Sequence, residues 1–483
     1  MTFFSFAALC FIILDFLCIV AVLFFERKNP SSTIAWVMVL LFMPVVGILA
    51  YVSFGSGFRV NKKKQYALKA ATDRLDDEYL AEKLSIGDRY AFLQQHKELA
   101  RLLSYLHNSG DGVYTGNNTV QTYTHGTELF ADMLADLRAA TDHIHMIYYI
   151  FRPDALGREM LSVLTEKARS GVRVCLMYDS IGNLLASSKA FVELERAGGR
   201  VQAFSPLVLN LNTEARLNYR NHRKITVIDG KIAYVGGMNV GEEYLGRDKK
   251  LRPWRDTHLR ITGNAVWFLH ERFLLDWCYV SGDDLQAMEF RRYFPENPGN
   301  DGTVGMQIVS SGPDTDYKPI KGGLMEMLYG ARKNIYIQTP YFTPDEAFLE
   351  AMSSAAQAGV DVRLMLPTVS DYSIVHFASL NFARRVLEAG VRVFMYKGFL
   401  HAKTVTIDGQ VASIGTTNIG SRSFMLNFEV NAFIYDGDYT RHHDQIFYDD
   451  MINCTELTLA WFKKQSVVKR AVITATRVLA PLM

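Results

Sequence analysis

With 483 residues, 49% hydrophobic and 12% aromatic, the chain has material for two soluble domains and apolar segments besides. A formal net charge of +2 provides no global field to gather nucleic acid, so a nucleic-acid partner is not expected. Cys10, Cys18, Cys175, Cys278 and Cys454 are scattered without C-x-x-C spacing, which argues against a zinc site or a disulfide framework and fits a reducing compartment.

Phe3 to Phe25 is apolar apart from Asp15 and a few small polar residues, and ERKNPSS leads into a second apolar run, Thr33 to Phe54. Since about 20 such residues cross a bilayer, residues 1–58 read as a two-span transmembrane hairpin, with Pro44 and Gly47 kinking the second span. A signal peptide is the competing reading of the first run, but it lacks a basic n-region and the second run follows directly. Arg59, Lys62, Lys63 and Lys64 outnumber Arg27 and Lys28 of the link. The more basic side stays inside, so the expectation is a multi-pass protein of the cell membrane with a cytoplasmic catalytic body. A re-entrant hairpin gives the body the same location. Residues 59–112 then form a basic juxtamembrane segment and helical connector.

From Val113 the pattern changes to strand, helix, strand, helix, strand, and it occurs twice. HIHMIYYIF, a helix over Asp154 to Ser170 and GVRVCLMYD are matched by NIYIQTPYF, a helix over Pro344 to Ala358 and GVDVRLMLP. Phe151-Arg-Pro-Asp aligns with Phe342-Thr-Pro-Asp, and AGGRVQAF with AGVRVFMY. The fold class is therefore α/β, with halves over 113–302 and 303–455 forming a pseudo-dimer. The first half carries an insertion, SPLVLNLNTEARLNY, which reads equally as a lid or lipid-contact loop and as a longer surface loop.

Within each half stands one longer motif. Its first copy has His222, Lys224 and Asp229 as H-x-K-x4-D, then Gly236, Gly237 and Asn239; its second has His401, Lys403, Asp408, Gly415 and Asn418 at the same offsets. One H-x-K would mean nothing, whereas two copies agreeing at five positions are a strong signal. KITVID and KTVTID alternate as half-buried strands do, so His and Lys share a face. Each Asp-Gly turns the chain into a second strand, and Asn can return its amide toward the His/Lys face. Two copies face to face suit a phosphodiester: one imidazole attacks phosphorus, the other protonates the leaving oxygen, and Lys224, Lys403, Asn239 and Asn418 stabilise the equatorial oxygens. Asp229 and Asp408 hold the turns. Asp256 and Glu429, downstream of the first and second copy, are candidates for the carboxylate that orients each histidine. Thr416 stands where the first copy has Gly237, so the half-sites need not be equivalent. His258, His270, His376, His442 and His443 lack metal-ligand spacing and read as surface or core residues.

After Glu456 no acidic residue remains. Over 456–483, Val468, Val472, Ala475, Leu479 and Leu482 recur at helical spacing among Lys463, Lys464, Lys469, Arg470 and Arg477. Such a basic amphipathic helix either lies on anionic lipid or packs on the second half.

In its two complete H-x-K-x4-D motifs, RNHRK at the first of them, PYFTPD at Pro340 to Asp345 and the apolar N-terminus, the chain resembles the phospholipase D superfamily, and within it the bacterial cardiolipin synthases. The resemblance covers nearly the whole chain. It implies that two phosphatidylglycerols give cardiolipin and glycerol through a phosphohistidine, with His222 as nucleophile, His401 as acid/base, and Asp256 and Glu429 as the orienting acids. Exchange of one phosphodiester for another is nearly energy-neutral, so neither cofactor nor metal is expected. A phospholipase D that uses water carries the same motifs. A nuclease would want a strongly basic groove, and two intact motifs speak against an inert membrane scaffold.

Overall fold

The computed structural model describes residues 13–20, 22–23, 30–54, 92–110, 112–184, 188–204, 219–284, 290–295, 302–315 and 317–479. The basic cluster Arg59 to Lys64, most of the connector and the insertion up to Asn218 lie outside the described residues.

A single mixed sheet of 16 strands runs through the two halves. From its centre toward one edge come Tyr114–Tyr123, His258–Thr262, Ile232–Gly236, Ile225–Ile228, His143–Tyr148, Arg173–Asp179 and Arg200–Phe204. Toward the other edge the same succession recurs as Val304–Ser311, Asn427–Tyr435, Val411–Gly415, Thr404–Ile407, Asn334–Gln338, Asp361–Pro367 and Arg392–Tyr396, with Cys454–Leu457 added outside. The halves join where Tyr114 pairs with Gln307 in an antiparallel ladder. The helices expected from sequence are present as Ala155–Arg169 and Glu346–Gln357, each N-capped by the aspartate of its x-Pro-Asp: Asp154 accepts from Gly157 N, and Asp345 from Phe348 N, both at 3.1 Å.

Ile225–Ile228 and Thr404–Ile407 were expected to be half-buried, but every residue in both is buried. Helices cover the two faces: Ile147 and Ile225 pack with helix Ala265–Ser281, while Ile144 and Ile228 pack with Gly126–Ala139 and Ala155–Arg169. The polar members of the alternation, Thr226, Thr404 and Thr406, satisfy their hydroxyls with Tyr148, Gln338 and Asp444.

Of the two expected spans, the first is described only over residues 13–20 and 22–23, the rest of Phe3 to Phe25 lying outside the described residues, and the second departs from a single span. No helix among the described residues is long and apolar enough to cross a membrane. Thr33 to Phe54 is divided into Pro30–Phe42 and Pro44–Phe54, of 13 and 11 residues. Trp36 and Tyr51 meet edge to face at 5.3 Å, which a continuous helix with 1.5 Å rise per residue forbids. The chain doubles back at Met43, where Pro44 interrupts the hydrogen-bond ladder. Gly47 permits the return, since a Cβ there would stand 3.0 Å from the Leu40 backbone. Ile34, Met38, Leu41, Phe42, Val45 and Val46 remain exposed on this hairpin.

At the other end, helix Val467–Leu479 packs on Ser373–Glu388. Ile473 and Thr476 are buried on that side, while the Val468 and Val472 side of the helix is turned outward, at 74% and 38% exposed.

Candidate active site

Each motif histidine lies just before a central strand, and a pair of two-residue parallel strands determines what it faces. Arg220–Asn221 pairs with Asn427–Phe428, and His222 N donates to Phe428 O at 2.9 Å. Phe399–Leu400 pairs with Trp254–Arg255, and His401 N donates to Arg255 O at 2.6 Å. Both pairs cross from one half to the other. The next residue on each partner strand is an acid. Glu429 therefore meets the Nδ1 of His222 at 3.0 and 3.1 Å, and Asp256 meets the Nδ1 of His401 at 2.7 Å. Chain order would give each acid to the motif it follows; the structure exchanges them.

The two half-sites hold their acids differently. Asp256 lies so close to Gly237 that a Cβ there would be 1.9 Å from Oδ1. Glu429, one methylene longer, instead accepts at 2.5 Å from the hydroxyl of Thr416, the residue at Gly237's position in the second copy. That accounts for the Gly/Thr departure: the shorter acid requires glycine and the longer one leaves room for threonine.

Lys224 and Lys403 sit beside their histidines, each donating to the histidine's own carbonyl, at 2.7 Å for Lys224. The Lys224 ammonium also lies 5.6 Å from the centre of the Tyr149 ring, which stands 5.2 Å from that of His222. Asn239 is engaged on both sides, accepting from Ile150 N at 3.0 Å and donating to Tyr244 Oη at 2.7 Å. Asn418 is buried with no partner for its Oδ1 among the described residues. Asp229 and Asp408 stand at the far ends of the motif strands, away from the imidazoles. At φ 53° and 56° each enters a left-handed turn. Asp229 collects Thr141, Asp142 and His143 N, and Asp408 collects Arg332, Lys333 and Asn334 N, at 2.7 to 3.0 Å.

Burial dominates the electrostatics. It brings Lys224 down to about 7, with Lys403 adding repulsion and Glu429 opposing it, and Lys403 down to about 8 against the pull of Asp256. His401 is pushed down to about 3 by burial and Lys403, and burial likewise lowers His222 although Glu429 opposes. Burial works against ionising Asp256 and Glu429, yet His401 with Lys403, and His222 with Lys224, hold both carboxyls below their ordinary values. Each lysine acts on the other copy's histidine as well as its own, which places both motifs in one field. At neutral pH the site holds two neutral imidazoles, two carboxylates and two lysines of low pKa, Lys224 about half charged and Lys403 mostly charged. It is prepared for an anion that can restore the charge of the lysines.

Several neighbours were not legible from spacing. Tyr149 and Tyr244 lie outside the motif, and Trp254, 5.4 Å from His401, is visible only as the residue two before Asp256. Arg223, inside RNHRK, gives no sign of its role in the sequence. It is fully buried, binds Asp276 at 2.7 and 2.9 Å and donates to the carbonyl of Glu429 at 3.2 Å, fastening the second half's acid to the first half's core.

A duplicated α/β unit that closes two H-x-K-x4-D motifs on one cavity defines the phospholipase-D-like class. The family model described as "Cardiolipin synthase, PLD-like domain" matches residues 133–251 and 324–451, and one described as "Phospholipase_D-nuclease N-terminal" matches residues 13–56. The cardiolipin synthase of Listeria innocua serovar 6a is 41% identical over 468 residues, spanning 95% of this chain and 95% of that one. That of Staphylococcus aureus strain Mu50 is 42% identical over 485 residues, spanning 98% and 95%. The chain belongs to the bacterial cardiolipin synthase family of the phospholipase D superfamily. Among solved structures, phosphatidylserine synthase of Haemophilus influenzae Rd KW20 shares the fold at TM-score 0.59 and 14% identity, covering 80% of this chain and 100% of that one.

Proposed function

We propose that the protein is a membrane-bound phosphatidyltransferase that condenses two phosphatidylglycerols to cardiolipin and glycerol, and that His222 and His401 share the chemistry. His222 Nε2 attacks the phosphorus of the first phosphatidylglycerol. Beside the bound phosphodiester anion and Asp256, His401 takes up a proton on Nε2 as the imidazolium; the bond to the headgroup glycerol then breaks, and the glycerol leaves with that proton. The glycerol hydroxyl of a second phosphatidylglycerol then gives its proton to His401 and attacks the phosphatidyl-histidine. Cardiolipin forms and His222 is freed. Lys224 and Lys403, with the amides of Asn239 and Asn418, serve the phosphoryl oxygens. Asp256 and Glu429 keep each Nδ1 protonated, so that both Nε2 atoms face the substrate. Asp229 and Asp408, grouped with the catalytic residues on motif grounds, act by fixing the hairpins. In this reading no cofactor and no metal is needed at phosphorus, because Lys224 and Lys403, charged again beside the bound anion, supply the positive charge.

The single observation that carries this reading is the pair of buried imidazoles, each with a carboxylate on Nδ1 at 3.1 Å or less. The apolar hairpin over residues 30–54 supports attachment to the cell membrane, and its fold-back at Pro44 favours re-entrant insertion with the catalytic body in the cytoplasm. Exposed Val467, Val468 and Val472 beside Lys463, Lys464, Lys469 and Arg470 support contact of the last helix with anionic lipid. The test is to incubate the purified protein with labelled phosphatidylglycerol. Cardiolipin and glycerol in equal amounts are expected; phosphatidic acid as the main product would mean that water is the acceptor.

A further inference from the structure

Outside this site lies a second cluster of histidines. His143 and His145 stand two apart on strand His143–Tyr148, so their rings share a face, and helix Ala265–Ser281 brings His270 over them. The three are 0%, 2% and 0% exposed, and one ring nitrogen of each lies within 4.8 Å of the other two.

Their hydrogen-bond partners fix the tautomers. His143 Nδ1 meets the carboxylate of Asp142 at 2.8 Å, and Arg292 steadies that carboxylate at 2.6 Å. His270 Nδ1 meets the carbonyl of Tyr293 at 3.0 Å. Neither partner can donate, so both Nδ1 atoms carry hydrogen and both Nε2 atoms present lone pairs inward. His270 Nε2 has His145 Nδ1 at 2.8 Å, while His143 Nε2, fully buried, has no hydrogen-bond partner among the described residues. A carboxylate behind one imidazole and a carbonyl behind another is how proteins orient histidines on a metal.

The fold does not demand these residues. Counted from the Asp229 and Asp408 turns, His143 and His145 correspond to Asn334 and Tyr336, and there Tyr336 stacks on Phe447 at 4.9 Å. An aromatic pair closes the core of one half where three imidazoles converge in the other.

We propose that His143 Nε2, His145 Nδ1 and His270 Nε2 bind one divalent first-row transition metal, zinc, in a structural site that clips the helix to the strand. Three imidazoles with no thiolate suit zinc and disfavour magnesium or calcium. Bonds of about 2.0 to 2.1 Å to a tetrahedral zinc set the nitrogens about 3.3 Å apart. The His145–His270 pair would open slightly and His143 close in, with the hydrogen of His145 moving to Nε2. Among the described residues no fourth histidine, cysteine or acid joins the group, so a small ligand completes the tetrahedron.

The experiment uses the full-length protein in detergent, purified without a metal-affinity tag, and measures metal by mass spectrometry. About one zinc per chain is expected, falling below about a tenth in His143→Gln and His270→Gln. Wild-type protein stripped by chelation should regain its melting temperature with zinc chloride and not with magnesium chloride. With cobalt(II) it should show the visible bands of tetrahedral nitrogen coordination. These wild-type readouts decide the matter even if the variants fail to fold. Metal below about a tenth of an equivalent with neither a zinc-dependent melting shift nor cobalt bands would reduce the cluster to a hydrogen-bonded histidine pair. Full metal retention in both folded variants would also overturn the assignment.

Discussion

Replacing Asp256 by Asn examines the exchange of carboxylates between the halves. The carboxylate accepts from His401 Nδ1 at 2.7 Å and from Thr257 N at 2.7 Å in a fully buried position. An asparagine amide donating to Nδ1 would place the ring hydrogen on Nε2, where the acceptor's proton must go. It would also remove the negative charge that stabilises the imidazolium. At a separation of about 4 Å and an effective dielectric of about 20, that charge contributes roughly 4 kcal/mol, or on the order of a 10³-fold loss of turnover. Glu429→Gln should cost a similar amount, but at a different step. The assay uses a phosphatidyl-nitrophenol, whose phenolate leaves without a proton. Asp256→Asn should then release a stoichiometric burst and stall as the phosphatidyl-enzyme, because only His401 is impaired. Glu429→Gln should show a slow burst, because the nucleophile is misaligned. Identical behaviour of the two variants, or the reverse assignment, would refute the crossed pairing as the functional one. A loss under about tenfold in Asp256→Asn would refute the orienting role altogether.

The histidine roles are separable by trapping with the same phosphatidyl-nitrophenol, whose leaving group needs no acid: His401→Ala should accumulate a phosphatidyl-enzyme and His222→Ala none, with the opposite pattern reversing the assignment. Since Lys224 and Lys403 sit at about 7 and 8, their charges are present below that range and lost above it. kcat/KM should therefore fall on the alkaline side with an apparent pKa between those values, while kcat, measured with bound anion, holds to higher pH; a flat kcat/KM up to about pH 9 would contradict this. Gly237→Thr should abolish turnover by displacing Asp256, whereas Thr416→Gly, losing one hydrogen bond to a carboxylate, should cost about 1.5 to 3 kcal/mol; kinetics and melting temperatures of the pair check the asymmetry. A cysteine at Asn29, with the native cysteines replaced, should resist an impermeant thiol reagent in intact cells and react after lysis; labelling in intact cells would show that the hairpin crosses.

What could be read in the sequence was whatever depends on local spacing. H-x-K leading into a strand, the Asp-Gly turn and the helices that begin at Asp154 and Asp345 are each determined within a few residues. Asp256 and Glu429 were recognisable as acids at strand starts, but not their partners, because those contacts span 145 and 207 residues and depend on two-residue strands too short to show a period. Pro44 was seen as a kink, although a kink and a reversal differ only in whether Gly47 lets the helix return. In the last helix the spacing left lipid contact and packing on the second half open, because the apolar residues recur on two adjacent faces; Ile473 takes the buried one and Val468 and Val472 the exposed one.

The crossed carboxylates also bear on the protein's history. A lone half would carry a histidine whose counter-acid belongs to its neighbour, so it could act only beside a second copy of itself. Fusing the copies removes the concentration dependence of that encounter and releases the sequences from having to match. Asp256 with Gly237 on one side, and Glu429 with Thr416 on the other, are two solutions to one constraint that an obligate pair of identical chains could not have adopted separately.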